Sequence, residues 1–304
     1  MQSIILDIKS DWEKRFAIWA QPPSETARLK AERAESAIRS AVAKNSELQK
    51  HNVWVFAQGS YRNRTNVRHD SDVDICVCTD ETFFFELPPG KSPADYAITT
   101  PGPYPYSVFK NDVWRALGEY LGWENVTRGD KAFDVHENTY RIDADVITCF
   151  EYRYYPSGGG CAYGTAFVPD SGGSFIHNFP QQNYDNGVAK NDRTSRRFKA
   201  VVRVLKTLCY QMQAENISGA RNIPSYLIEC LCWNVADDLF VFDSLADSLG
   251  AVVADIWNRT GNAFVYSDWL EINGIKFLFH GSQPWNREQV NAFAVAVSNY
   301  VGFE

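Results

Sequence analysis

The chain has 304 residues, enough for about two domains with buried cores. Its 45% hydrophobic and 22% charged residues are close to the averages of folded proteins, which argues against extensive disorder. The formal net charge of −7 argues against binding of long nucleic acid, because proteins with that role usually carry a basic face.

Two further patterns predict a cytoplasmic protein with no membrane partner. No stretch approaches the roughly 18 apolar residues that a membrane helix requires. The first apolar run is interrupted by Asp7 and Lys9, unlike the core of a secretory signal. The seven cysteines include no C-x-x-C pair, so we expect reduced thiols in the core and no zinc site.

The first part of the chain combines helices with short strands. Apolar residues at three- and four-residue steps predict a helix over residues 4–20, and Ser24 predicts the N-cap of a second helix that runs to about residue 50. Prolines and aromatic residues predict an irregular insertion over 83–106, and glycines predict a surface loop over 156–187. Further predicted elements are strands at 53–57, 73–77, 132–135, 141–150 and 165–168 and a helix at 107–121.

After residue 190 the pattern becomes helical. We predict helices at 194–214, 224–240 and 243–258, an extended patch at 263–280, and a last helix from Trp285. The sequence therefore predicts an α+β protein with two lobes. The first, residues 1–190, contains a mixed sheet with flanking helices, and the second, residues 191–304, is helical.

A glycine–serine turn follows the first predicted strand. Gly59 and Ser60 come after residues 53–57 and precede a segment that can begin a helix. Glycine lets backbone N–H groups approach a phosphate closely, and the Ser60 hydroxyl adds a donor. Gln58 and Arg64 flank the turn and are candidates for contacts with the same substrate, although either could instead brace the loop.

Two aspartates alternate with apolar residues at the second predicted strand. Side chains alternate along a strand, so Asp72 and Asp74 share one face. Neighbouring carboxylates repel each other unless a cation lies between them, and their hard oxygens select Mg²⁺ or Mn²⁺. A D-x-D pair alone is common at solvated strand edges, so this interpretation depends on its combination with the glycine–serine turn.

A third carboxylate is expected on a neighbouring strand. Asp143 and Asp145 are both candidates, and we favour Asp145 because the apolar run after it makes an unbalanced charge costly there. Asp143 could instead bond locally. Three such carboxylates are typical of two-metal phosphoryl transfer, which needs no protein nucleophile. Consistent with this, the chain has no Walker motif.

These motifs resemble those of the DNA polymerase β-like nucleotidyltransferase superfamily. The segment Gln58-Gly-Ser-Tyr-Arg-Asn-Arg-Thr is most similar to the bacterial cGAS/DncV-like nucleotidyltransferases (CD-NTases), and the resemblance spans about residues 55–235. It implies a nucleotidyltransferase core joined to a helical lobe, with NTPs as substrates and Mg²⁺ as cofactor. It also implies synthesis of cyclic oligonucleotide messengers in anti-phage defence, with regulatory or effector proteins of a defence operon as candidate partners.

A basic stripe in the helical part supports the resemblance. Between Arg193 and Lys206 there are six basic residues and no acidic one. A solvated helix face usually alternates the sign of its charges, whereas this stripe lies beside an apolar one and can neutralise a triphosphate in a cleft. The stripe consists of Arg196, Lys199, Arg203 and Lys206.

The resemblance assigns nucleotide-binding roles to three residues of this part. Lys206 matches the triphosphate-binding lysine of the family. Ser225 and Tyr226 match its helix-start pair, in which the serine meets phosphate and the tyrosine stacks on the donor base. Stacking accepts any base, so Tyr226 does not identify the nucleotide. Without the resemblance, a half-buried helix tyrosine would be the simpler interpretation.

The predicted function is a Mg²⁺-dependent nucleotidyltransferase that makes a cyclic di- or trinucleotide. Two alternatives stay open at this point. The same chemistry could serve another acceptor, giving linear oligonucleotides or a modified RNA 3′ end or small molecule. A catalytically inactive nucleotide-binding sensor is the second alternative, although such a sensor is expected to lack one of the three carboxylates.

Overall fold

The computed structural model describes residues 2–67, 72–261, 268–280 and 283–303, and of residues 2–10 only the backbone. Two compact units interleave along the chain. Unit 1 comprises residues 1–23, 63–67 and 182–304, and unit 2 comprises residues 24–62 and 68–181. The predicted lobes, residues 1–190 and 191–304, are each one continuous stretch, whereas each unit is built from separate stretches of the chain. Helix α1 (Gln2–Trp19) groups with the C-terminal helices because Phe16, with Ala20 just after the helix, is buried in their core.

Unit 2 contains a mixed seven-stranded sheet. Its strands are β1 (Val53–Ala57), β2 (Val73–Glu86), β3 (Val126–Arg128), β4 (Phe133–Val135), β5 (Ala144–Tyr154), β6 (Ala162–Phe167) and β7 (Ile176–Asn178). The order across the sheet is β1-β2-β5-β4-β3, and β6 pairs with β5 and β7. The pairing of β2 with β5 is parallel and the other pairings are antiparallel.

Helices of unit 2 bury the apolar face of this sheet. They are α2 (Glu25–Lys44), the short α3 (Gly59–Asn63) and α4 (Tyr106–Leu121). The Ser24 side chain accepts a hydrogen bond from Ala27 N, so the predicted N-cap of α2 is confirmed. Val73 and Ile75 are buried in a core shared with α2 and α4, while Asp74 between them is partly exposed, as the alternation of β2 predicts.

Unit 1 is helical. Besides α1 it contains α5 (Pro180–Arg193) from residue 182 onward, α6 (Arg197–Ala214), α7 (Ser225–Asn234), α8 (Leu245–Gly261) and α9 (Arg287–Val301). The apolar stripe predicted for α6 is buried in the centre of this unit, with Phe198, Leu205 and Leu208 at most 1% exposed. In the part of the chain that the structure describes, no helix combines the length and apolarity needed to cross a bilayer.

Several segments differ from the sequence prediction. Helix α2 ends at Lys44 rather than near residue 50, and α7 ends at Asn234 rather than at residue 240. Strand β2 extends to Glu86, into the predicted insertion, because residues 83–86 pair with β5 after a register shift. The predicted loop 156–187 contains β7 and the start of α5, and its predicted strand at 165–168 is confirmed as part of β6. The extension of β2 and the formation of β7 arise from tertiary pairing, which overrides weak local propensity. The predicted patch 263–280 lies partly outside the described residues, and its described part contains one bridge, between Leu270 and Phe277.

Replacing Phe150 by Ala tests the core of unit 2. Phe150 is 1% exposed, and its ring centroid lies 5.2 Å from that of Tyr106 and 5.7 Å from that of Phe109. Removal of the ring leaves a cavity, so we expect the free energy of unfolding to fall by about 3–5 kcal/mol. Tyr140→Ala, at a 69% exposed position, is the control and should change little. Equal losses in chemical denaturation would contradict this packing.

Candidate active site

The sheet of unit 2 places three aspartates side by side. Asp74 of β2 lies in register with Asp145 of β5, and Asp145 lies in register with Asp134 of β4. Residues paired across neighbouring strands project to the same face of a sheet. The structure therefore brings together Asp74 and Asp145, and it adds Asp134, which the sequence analysis did not identify. The alternation of Phe133, Asp134 and Val135 was the available signal.

Asp145 carries the electrostatic cost of this arrangement. Its half-buried position raises the pKa of its carboxyl to about 6, with further contributions from the negative charges of Asp72 and Asp134. The carboxylate of Asp143 accepts a hydrogen bond from the backbone N–H of Glu137, which is the kind of local bond that the sequence left open for it. A cation beside Asp145 would relieve the repulsion, and carboxylate oxygens are suitable ligands for a hard divalent ion.

The carboxylates do not form a complete metal cage. Within the residues that the structure describes, no three Asp, Glu, His or Cys side chains converge closely enough to hold an ion by themselves. This is compatible with Mg²⁺, which is commonly bound by one or two carboxylates together with water and substrate phosphates. The donor chemistry thus fits the predicted ion, provided that the substrate supplies the remaining oxygens.

The glycine–serine turn packs directly against Asp74. Gly59 has a φ of +66°, and a Cβ atom at this residue would lie 2.1 Å from Asp74 Oδ2. The backbone N–H of Gln58 donates to the carbonyl oxygen of Asp74 at 2.8 Å. Any side chain at residue 59 would displace the carboxylate, which gives this glycine a second function beside the predicted approach to phosphate. Ser60 is half-buried in α3.

Two members of the basic stripe are buried in unit 1. Arg203 donates to the carbonyl oxygens of Ala20 and Arg64, the latter at 2.7 Å. Lys206, 1% exposed, forms an ion pair with Glu229 and donates to the carbonyl oxygen of Thr65. Their charges therefore hold residues 64 and 65 in place. The triphosphate-binding role of Lys206 stays a prediction, and it would require the ammonium to leave Glu229.

Other members of the stripe and its neighbours are less buried. Lys199 is partly exposed, with its Nζ 5.7 Å from the ring centroid of Tyr184, and burial lowers the pKa of its ammonium. Arg64 is exposed and has a φ of +56°. Both residues lie in unit 1. Their contributions to nucleotide binding also stay predictions.

The first turn of α7 carries Ser225 and Tyr226, which are both partly exposed. The Tyr226 hydroxyl donates to Glu271 Oε2 at 3.0 Å and lies 3.2 Å from Asn183 Oδ1. Unit 1 thus contains Arg64, Lys206, Ser225 and Tyr226, whereas unit 2 contains Gln58, Gly59, Ser60, Asp72, Asp74 and Asp145.

Comparison with known proteins identifies the family. Residues 185–302 match the model of the cGAS/DncV-like nucleotidyltransferase C-terminal helical domain. The chain is 43% identical to a cyclic dipyrimidine nucleotide synthase, CdnE, of Legionella pneumophila, over 96% of this chain and 98% of that protein. It is 37% identical to a cyclic dipyrimidine nucleotide synthase of Cecembia lonarensis, with coverage of 96% and 98%.

A solved structure agrees with this relationship. The c-UMP-AMP synthase CdnE of Rhodothermus marinus, determined with Apcpp and Upnpp, matches with a TM-score of 0.82 and 29% identity, over 96% of this chain and 97% of that one. These relatives are cyclic nucleotide synthases, so the predicted α+β fold and nucleotidyltransferase activity are confirmed at the level of the family. The chain belongs to the bacterial cGAS/DncV-like nucleotidyltransferases.

Proposed function

We propose that the chain is a Mg²⁺-dependent synthase that joins two NTPs into a cyclic dinucleotide with at least one pyrimidine base. The observation that carries the proposal is the in-register pair of Asp74 and Asp145 beside the Gly59 turn. Synthesis of cyclic nucleotides is the activity of the relatives named above. The pyrimidine base follows from the two dipyrimidine synthases at 43% and 37% identity.

Asp72, Asp74 and Asp145 would hold the metal. When bound, Mg²⁺, for which Mn²⁺ can substitute, neutralises the triphosphate and lowers the pKa of the attacking hydroxyl. The raised pKa of Asp145 supports this assignment, because a cation would remove the repulsion that causes part of the shift. Asp134 adds negative charge beside Asp145, from the opposite side to Asp74.

The other predicted site residues bind and orient the nucleotide. The backbone N–H groups of Gly59 and Ser60 and the Ser60 hydroxyl donate to phosphate oxygens. Tyr226 stacks on the donor base and Ser225 contacts its phosphates, as the family resemblance implies. Binding in this way orients the α-phosphorus toward the hydroxyl of the second nucleotide, which is the main contribution of a protein to phosphoryl transfer.

We also propose that the product is a cytoplasmic signal in anti-phage defence. This part of the proposal comes from the family resemblance, which implies regulatory or effector proteins of a defence operon as partners. A dinucleotide with a pyrimidine base would differ from purine-only messengers at the Watson–Crick edge, so a receptor with suitable hydrogen-bonding groups could distinguish the two.

Substitution of Asp74 by Asn tests the metal carboxylates. Loss of one charged ligand should reduce product formation by roughly a thousandfold or more, about 4 kcal/mol of transition-state stabilisation. Asp80→Asn is a matched control on the same strand, where Asp80 accepts a hydrogen bond from Asn52 at 2.9 Å. Steady-state rates with radiolabelled NTPs measure the effect. Wild-type turnover by the Asp74 variant would exclude this assignment.

The pH dependence of stability tests the environment of Asp145. The pKa of Asp145 in the folded protein, about 6, is above the ordinary carboxyl value, so the folded protein binds this proton more tightly than the unfolded chain does. The protonated group therefore contributes to stability at low pH, and this contribution is lost as the pH rises through 6. Without metal, wild-type Tm should therefore fall more steeply between about pH 4.5 and 6.5 than that of Asp145→Asn. Parallel pH profiles of the two proteins would contradict the raised pKa.

Mass spectrometry of products from an equimolar mixture of the four NTPs tests the proposed activity. We expect a phosphatase-resistant cyclic dinucleotide that contains a pyrimidine. A product with purines only would contradict the proposed base, and a phosphatase-sensitive ladder would indicate linear chains. Absence of product from folded protein with Mg²⁺ would favour the inactive sensor.

A further inference from the structure

We infer that Glu271 is a positioning residue that fixes the ring of Tyr226 for nucleotide binding. The inference rests on the proposed function, in which Tyr226 stacks on the donor base. The Tyr226 hydroxyl lies 3.0 Å from Glu271 Oε2 and 3.2 Å from Asn183 Oδ1. A phenol has one hydrogen, and the carboxylate is the stronger acceptor, so this hydrogen is donated to Glu271.

Glu271 is a buried carboxylate held at both oxygens. It is 3% exposed. Asn273 Nδ2 donates to the same Oε2 at 2.8 Å, and Gln283 Nε2 donates to Oε1 at 2.6 Å. Lys276 Nζ lies 3.6 Å from Oε1 and balances its charge. These contacts compensate for the burial of the charge and restrict rotation of the carboxylate, so the acceptor of the Tyr226 hydroxyl has a defined position.

The backbone around Glu271 is itself tightly held. Its N–H donates to the carbonyl oxygen of Lys276 at 2.7 Å, and Gly274 N–H donates to the carbonyl oxygen of Glu271 at 2.8 Å. Trp269 and Leu278, joined by a backbone hydrogen bond of 2.8 Å, are at most 1% exposed in the core of unit 1. The carboxylate therefore projects from a turn that is anchored on both sides.

This arrangement gives the tyrosine a fixed ring at little entropic cost on binding. Tyr226 lies in the first turn of α7, and its hydroxyl donates a hydrogen bond to Glu271 in the anchored turn. Burial and the negative charge of Glu271 raise the pKa of Tyr226 well above its ordinary value, so the hydroxyl stays protonated as a donor. A ring that is already ordered loses less freedom when a base stacks on it, which strengthens binding.

Variants of both partners test the inference. Tyr226→Phe retains the ring and removes the hydroxyl, and Glu271→Gln retains the shape and removes the charge. Each should weaken binding of a non-hydrolysable UTP analogue, measured by calorimetry, by about threefold to tenfold. The double variant should bind no more weakly than the weaker-binding single variant, because Glu271→Gln weakens the same hydrogen bond that Tyr226→Phe removes. The KM for NTP should rise with little change in kcat.

Tyr300→Phe is the matched control. Its hydroxyl also donates to a carboxylate of unit 1, Glu215 Oε1, at 2.7 Å. This variant removes a tyrosine–glutamate hydrogen bond away from α7 and should bind the UTP analogue as the wild type does. If Glu271 served stability alone, Glu271→Gln and Tyr226→Phe would lower Tm but would not weaken binding of the UTP analogue. That result would overturn the inference.

Tyr226→Leu separates this inference from the proposed function. Loss of the ring should weaken binding of the UTP analogue more than Tyr226→Phe does. If the Leu variant binds weakly while the Phe and Gln variants bind like the wild type, stacking holds and the positioning by Glu271 is wrong. If the Leu variant also binds like the wild type, the proposed stacking role of Tyr226 is wrong and the inference falls with it.

Discussion

The candidate active site depends on the parallel pairing of β2 with β5. This pairing sets Asp74 beside Asp145 on one face of the sheet, while the residues that alternate with them are buried in the core. A shift of one residue in either strand would move a carboxylate to the opposite face. The apolar residues around each aspartate thus determine the register of the two strands, and this register places the carboxylates of Asp74 and Asp145 side by side.

The repulsion between these charges is a constraint that the rest of unit 2 accommodates. Gly59 leaves space for the Asp74 carboxylate, since a Cβ atom there would lie 2.1 Å from its oxygen. At Asp145, burial raises the pKa of the carboxyl to about 6, with smaller contributions from the charges of Asp72 and Asp134. In unit 1 the charge of Lys206 is neutralised by Glu229, and Arg203 donates to backbone carbonyls. The neighbouring charges that raise the pKa of Asp145 are those of carboxylates, so a bound cation suits this site.

The sequence predicted those features that depend on local patterns. Alternating residues identified the strands around Asp74 and Asp145, and Ser24 identified a helix start. The side-by-side position of Asp134 depends on the pairing of β4 with β5, which no local pattern contains. The helical period placed Lys206 correctly on α6, but it does not distinguish a cleft from a buried ion pair, since Glu229 comes from another helix. Glu271 lies in an irregular segment, where periodicity is uninformative.

Binding of Mn²⁺ by the carboxylates tests the central claim most directly. Titration of Mn²⁺, followed by electron paramagnetic resonance in the presence of a non-hydrolysable NTP, measures the site without turnover. The account predicts binding by the wild type and by Asp80→Asn, and an affinity at least about tenfold lower for Asp145→Asn, because loss of a charged ligand weakens a hard-cation site. Equal Mn²⁺ affinity in all three proteins would show that Asp145 does not hold the metal.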